Sequence, residues 1–375
     1  MSGRGRRPSR TRRGAKTLRR LAALAAALAL AACGRGEIGA PQYAADQCRR
    51  LALVDAATGE PVVGAEDIAL DPARGRVFIS AYDRRAVEKA ARRNADAPPQ
   101  GGVYTVSLAA LFDPEMDVLS AAPLIAPENV AGGLRPHGLA YDTGKDEVIF
   151  INRAYVREKG KWTMTPRLHR VGADAQGLDD GAPAFCAANN VVATARQTFT
   201  TFDHGACGWR GGLEAVFNLK RSGVALEAPG AASQRVYDRA GFANGLTLTD
   251  KGDIVMAATR ENALLLMREL SGGVQPVMRI ATPGGPDNLT LSHDGGVVAA
   301  VHPSLRRLAL NRKLGVGKAP SRIVKADVAT GAVEILFDDP SGDLFSAATV
   351  AVETADGLIL GSVTDAGLLV CRAAS

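Results

Sequence analysis

The chain has 375 residues, with 45 Lys and Arg against 39 Asp and Glu for a formal net charge of +6, and aromatic residues make up only 5% of it. Nine of the basic residues and no acid fall in residues 1–20, so the remainder carries 36 basic against 39 acidic residues, a net −3. The basic balance is a property of the N-terminus. No later segment joins a dense basic run to interleaved aromatics, which leaves nucleic-acid binding without a footing.

The basic stretch leads into an unbroken apolar run from Leu21 to Ala32, the pattern of a signal peptide's charged and hydrophobic regions. The run is shorter than the roughly 20 apolar residues a membrane-spanning helix needs. It ends in Leu30-Ala31-Ala32-Cys33, which resembles a bacterial lipobox. The expectation is a signal peptide over residues 1–32, cleaved before a lipidated Cys33. A tether follows over residues 33–47, and the folded part takes residues 48–375. The protein is then exported and anchored by lipid to the cell envelope, on the periplasmic side or at the outer membrane. An ordinary cleaved signal with a coincidental cysteine is the alternative.

With Cys33 set aside, Cys48, Cys186, Cys207 and Cys371 remain, an even number suited to disulfides in an oxidising compartment. A Cys48–Cys371 bridge would tie the two ends of the folded part together, and Cys186 and Cys207 would pair locally. Four cysteines allow three connectivities, and at this point all three stand.

From Cys48 onward no long 3.6-residue periodicity occurs, and short apolar strands alternate with Gly, Asp, Asn and Pro turns. One unit recurs: a polar residue, an apolar strand, a turn and a second apolar strand. In chain order it begins at Glu66-Asp67, His137-Gly138, Asn189-Asn190, Asn244-Gly245, Asp287-Asn288 and Thr349-Val350. Copies spaced by about 45 to 70 residues fit four-stranded blades, so the expected fold is all-β, a six-bladed β-propeller. A two-sheet sandwich competes less well, because six similar units argue for radial repetition.

In a propeller the first strand of each blade runs beside the central channel, so polar residues at its start converge. Glu66, Asn189, Asn244, Asp287 and Asn288 then supply two carboxylates and three carboxamides, an oxygen-only set matched to Ca2+ rather than to zinc. A central calcium site with a single ion is the expectation. No phosphate loop, dinucleotide fingerprint, zinc-spaced Cys or His pair, or Gly-x-Ser-x-Gly elbow occurs in the mature part.

Several strings carry a family likeness: Gly64-Ala65-Glu66-Asp67, Pro136-His137-Gly138-Leu139, Phe242-Ala243-Asn244-Gly245, Asp287-Asn288, His302-Pro303 and Leu360-Gly361-Ser362-Val363. By their order and spacing from Cys48 to Cys371 the chain resembles the serum paraoxonase and arylesterase family. That family belongs among the wider gluconolactonase-like six-bladed propellers. The resemblance implies a calcium-dependent hydrolase of lactones or aryl esters, with the five residues above as ligands and His137 as the active-site histidine. It also implies a Cys48–Cys371 bridge, and a second, structural calcium site drawing on Asp67, the backbone of Leu139 and the position of Asn190.

Two departures bear on that reading. Asn190 stands where an acid is expected, which removes a charge from the second site. Arg153 stands where a second histidine is expected, and a guanidinium cannot relay a proton at neutral pH. The candidate pocket residues are Tyr82, Arg153, Asp203 and His204, together with Phe242, His302 and Val363. Residues 82–94 form a charged insertion placed to lie over the calcium face. Arg306, Arg307, Arg312, Lys313 and Lys318 form a second basic segment that would favour acidic substrates. A non-catalytic propeller that binds a ligand or partner is the rival from another class, and a sugar lactonase is the rival within hydrolases. Oligomeric state has no sequence signal.

Overall fold

In the computed structural model, which describes residues 39–228, 232–270 and 273–373, each of the six repeats is an antiparallel strand pair. The first three pairs are Ala65–Asp71 with Arg76–Ala81, Pro136–Asp142 with Glu147–Glu158, and Ala188–Ala193 with Thr198–Phe202. The others are Ala243–Leu248 with Ile254–Ala258, Gly285–Leu291 with Val297–His302, and Ala348–Thr354 with Gly357–Ser362. The expected signal peptide and Cys33 lie outside the described residues.

The second strand of most pairs, Thr198–Phe202 with its three threonines excepted, is apolar on both faces because a sheet packs against each face. Val297–His302 is buried throughout. Its Val297, Ala299 and Val301 join Val255, Ala257 and Leu289 in one core, while Val298 and Ala300 join Phe337, Ala351 and Leu360 in the next. A period-2 strand with two apolar faces thus serves two cores at once.

Four sheets have four strands each, and a fifth has eight. The eight-stranded sheet is two runs of four joined through Cys48–Asp55, which pairs antiparallel with Leu368–Arg372 and parallel with Val118–Pro123. The first strands of successive units pack against one another in sequence, and Ala348–Thr354 packs back on Ala65–Asp71, so the ring closes. Chain closure is covalent as well: Cys48 faces Cys371 across the strand pair and is disulfide-bonded to it, and Cys186 is bonded to Cys207. Tyr43, inside the expected tether, is buried with Phe337 and Phe345, and its N–H donates to Leu336 O at 2.8 Å. Packing on the sheets therefore begins before Cys48.

Three helices matter for the site. Helix α1 (Arg84–Arg92) starts at Asp83, whose carboxylate accepts from Ala86 N at 2.9 Å. Helix α2 is Trp209–Val216. Helix α3 (Leu305–Leu314) starts at Ser304, which accepts from Arg307 N, and stops at Gly315 with φ 68°. Among the described residues no helix is long and apolar enough to cross a membrane.

Candidate functional site

Every first strand breaks register at its polar start: between Ala65 and Asp67, Pro136 and Leu139, Ala188 and Val191, Ala243 and Leu246, Pro286 and Leu289, and Ala348 and Val350. A bulge puts an extra residue into one strand and re-aims its side chains. Consecutive polar residues such as Asn189-Asn190 and Asp287-Asn288 can then both turn inward, which a regular strand would forbid. Gly138 and Gly245 permit the close approach of neighbouring first strands. A Cβ on Gly138 would stand 2.4 Å from Asn190 Cα, and one on Gly245 would stand 2.5 Å from Asp287 O. Hydroxyls on the second strands, or just past the end of one, pin the bulged backbones. Ser80 donates to His137 O, Thr201 to Asn244 O, and Thr259 to Pro286 O at 2.6 Å.

The inward side chains form one network. Asn189 Nδ2 donates to Asp203 Oδ1 at 2.6 Å, and Asn244 Nδ2 donates to Asp287 Oδ1. Both amide groups are taken up by carboxylates, so each carboxamide keeps its oxygen for the cavity. His302 Nε2 lies 2.7 Å from the other oxygen of Asp287. Asn288 Nδ2 donates to Glu66 O at 2.7 Å, and Thr349 donates to the same carbonyl at 2.9 Å.

A cavity of about 280 Å3 opens on this network. Four of the five expected ligands, Glu66, Asn189, Asn244 and Asp287, line it. Asn288 does not; it is 2% exposed and lies beneath, accepting from Asn190 Nδ2 at 2.9 Å. Among the expected pocket residues Asp203, His204, Phe242, His302 and Val363 line the cavity, whereas Tyr82 and Arg153 are buried beside it. Asp203 and His204 follow the strand Thr198–Phe202 in the loop stapled by Cys186–Cys207, and His204 meets the Phe242 ring edge-on at 5.7 Å. Phe242 holds φ 62°, a left-handed backbone that a bulky side chain adopts only under strong local constraint.

His137 is 1% exposed, does not line the cavity, and has no hydrogen-bond partner on either ring nitrogen. Its Nδ1 stands 3.3 Å from Glu66 Oε1, so Glu66 lies between the imidazole and the open space. Burial first, and then the charges of Arg153, Arg84 and Arg312, push the His137 pKa well below its ordinary 6.5. Burial likewise raises the Glu66 carboxyl, although Arg84 pulls the other way. Asp67 is raised well above 3.8 by burial, against hydrogen bonds from Leu139 N, Ile68 N and Asn190 Nδ2.

The depressed imidazole has a consequence for stability. A group neutral in the fold but titrating near 6.5 in the unfolded chain contributes stability above pH 6.5 and loses it as pH falls toward the lower folded value. Metal-free wild type is expected to lose about 1.4 kcal/mol more per pH unit below 6.5 than His137→Gln does. Urea titrations of both proteins at pH 7.5 and pH 5.5 measure this, and equal losses would contradict it.

An oxygen-seeking ion fits what is here. Two buried carboxylates, Glu66 and Asp287, face the cavity with the carboxamide oxygens of Asn189 and Asn244. Such charge is costly to bury without a cation. Among the described residues no three His, Cys, Asp or Glu side chains converge as ligands, so an ion depends on the carboxamides, which suits calcium better than zinc. The second position differs. Asp67 is surrounded by three N–H donors, among them the backbone N–H of Leu139 and the Asn190 amide at 2.9 Å.

No protein-family model matches the chain, and no curated protein matches it in sequence. Solved structures do. A gluconolactonase from Xanthomonas campestris is 13% identical, with a TM-score of 0.50 over 90% of this chain and 99% of that one. A structural-genomics target provisionally assigned as a gluconolactonase is 15% identical, with a TM-score of 0.50 over 88% and 94%. Virginiamycin B lyase from Staphylococcus aureus is 11% identical, with a TM-score of 0.46 over 87% and 98%. The fold is an all-β propeller. Likeness at this identity concerns the fold and leaves the chemistry to the site.

Sequence reasoning passed over Arg84, Thr259, Arg260, Leu305 and Leu308 as individual lining residues of the propeller's cavity. Arg84 lies in the charged insertion and Leu305 and Leu308 adjoin the second basic segment, so both segments were visible while their facing residues were not. The His302–Asp287 pair had no local signal, because its partners are 15 residues apart on neighbouring strands.

Proposed function

We propose that the protein is an exported calcium-dependent hydrolase of lactones or aryl esters, built as a six-bladed propeller with its reaction centre in this cavity. One observation carries the reading: Glu66, Asn189, Asn244 and Asp287, from four different first strands, converge on a cavity backed by a neutral, unpartnered imidazole. Glu66, Asn189, Asn244 and Asp287 would hold the ion, with Asn288 fixing the Glu66 backbone from below. When bound, calcium supplies Lewis-acid polarisation of the substrate carbonyl.

The chain's own residues supply the rest. His137, neutral at pH 7 and 3.3 Å from Glu66 Oε1, would receive the proton of the attacking water through the cavity-lining Glu66 carboxylate, which then stabilises the imidazolium that results. Asn189 and Asn244 are held by Asp203 and Asp287, so their oxygens keep fixed directions. Arg153 lies 3.9 Å from Asp203 Oδ2 and keeps His137 unprotonated between turnovers. We assign no ion to the second position, because the Asn190 amide already satisfies Asp67. Export and a lipid anchor on Cys33 belong to the same proposal, and the two disulfides support the oxidising compartment.

His137→Gln is expected to lower kcat/KM for lactones about a hundredfold, the low end for general-base removal, with calcium affinity kept within a few-fold. Steady-state kinetics on a lactone and aryl-ester panel, beside calcium titration, measure both. His302 is the second choice of base, favoured by its place in the cavity wall. A hundredfold loss in His302→Gln with none in His137→Gln would move the role there. A calcium-binding protein inactive on the whole panel would favour the non-catalytic binding propeller, for which the seclusion of His137 already speaks.

A further inference from the structure

Resting on the hydrolase reading of this cavity, we propose that its substrate carries its own anionic group, a carboxylate or phosphate away from the scissile bond, bound by Arg84 and Arg312. The second basic segment divides sharply in the structure. Arg307 is taken up by the carbonyls of Lys318, Pro340 and Ser341, and Arg306 is exposed to solvent. Arg312 and Lys313 instead line the cavity from helix α3. Helix α1 brings Arg84 to the same wall. The two helices are locked together there: Arg85 Nη2 donates to Asn311 O at 2.7 Å.

Arg84 and Arg312 share one partner. Arg84 Nε lies 3.3 Å and Arg312 Nη1 3.1 Å from the same oxygen, Glu88 Oε1. Arg84 also stands 3.8 Å from Glu66, beyond hydrogen-bond reach. Four cations line the cavity, Arg84, Arg260, Arg312 and Lys313, against three anions, Glu66, Asp203 and Asp287. Glu88 behind the wall adds a fourth anion, yet two guanidinium groups share its one carboxylate. Arg84 foremost, with burial, pulls the Arg312 pKa to about 10. Two guanidinium groups converging on one side of a partly enclosed space form a recognition site for a bidentate anion. Leu305 and Leu308 from the same helix, with Phe242, add an apolar part to the lining for the body of a compact substrate.

Glutarate, a small dicarboxylate, and glutaramide, its neutral counterpart, test this by calorimetric titration of the exported protein after metal removal on chelating resin. Glutarate is expected to bind, glutaramide to bind at least about tenfold more weakly, and Arg312→Met to weaken glutarate about tenfold. Arg84→Met is expected to do the same, while Arg306→Met on the same helix leaves binding unchanged. Melting temperatures check that each variant is folded. In the calcium-loaded enzyme, Arg312→Met is expected to raise KM about tenfold for a carboxylate-bearing lactone and to leave the KM of its amide alone. Equal binding of glutarate and glutaramide, no glutarate binding, or an equal loss in Arg306→Met would overturn the anion site. Hydrolysis of charged and neutral lactones with equal KM would overturn it too, with the hydrolase reading intact. Selective glutarate binding by a protein that hydrolyses nothing would retain the anion site and sink the hydrolase.

Discussion

Asp287→Ala is expected to lower kcat/KM for lactone hydrolysis about a thousandfold, roughly 4 kcal/mol of transition-state stabilisation. The size follows from how many contacts one carboxylate makes. Asp287 accepts from Asn244 Nδ2, meets His302 Nε2 at 2.7 Å, and lines the cavity beside Glu66. Its loss removes a charged donor from the proposed ion site and frees two neighbours that it orients. Loss of a single orienting partner costs about 10- to 100-fold in metal affinity, and loss of the donor itself costs more. The decisive measurement is calcium titration by calorimetry together with kinetics at saturating calcium. Weakened calcium binding with the rate lost, in a protein that still melts cooperatively, is the expected pair of results. A rate within tenfold of wild type at saturating calcium would remove Asp287 from the site.

Paired replacement of Cys48 and Cys371 by Ser is expected to lower stability by about 4–5 kcal/mol, near the upper end for a single bridge. The two cysteines are 323 residues apart, and chain-entropy loss grows with the logarithm of the loop closed. The same replacement at Cys186 and Cys207, separated by 21 residues, is expected to cost about 3 kcal/mol. The long bridge also guards the ring. Cys48–Asp55 joins Leu368–Arg372 on one side and Val118–Pro123 on the other, so fraying there opens the eight-stranded sheet. Guanidinium unfolding monitored by circular dichroism gives both values. A smaller loss for Cys48 and Cys371 than for Cys186 and Cys207 would show that strand pairing alone keeps the ends together.

Residue types and their period carried most of the fold. Six polar-then-apolar repeats are six strand pairs, because alternation on a strand and Gly, Asp and Asn turns are local properties that the fold keeps. The chain by itself also placed the first-strand starts as the source of the site and named four residues that now line one cavity, Glu66, Asn189, Asn244 and Asp287. It also singled out His137, Asn190 and Arg153, all three of which are buried. What only the tertiary structure decided is depth and pairing. A bulge at each first strand, which no residue pattern announces, re-aims its side chains; Asn288 is left out of the cavity wall, bonded to Glu66 O and Asn190, and His137 is buried 3.3 Å from Glu66. The His302–Asp287 contact forms across one strand pair whose register a bulge has shifted, and Arg312 reaches Glu88, 224 residues away, at 3.1 Å because helices α1 and α3 dock on the same wall. Sequence fixes which groups are present along each strand, whereas curvature of the ring and helix docking over its mouth fix which of them meet.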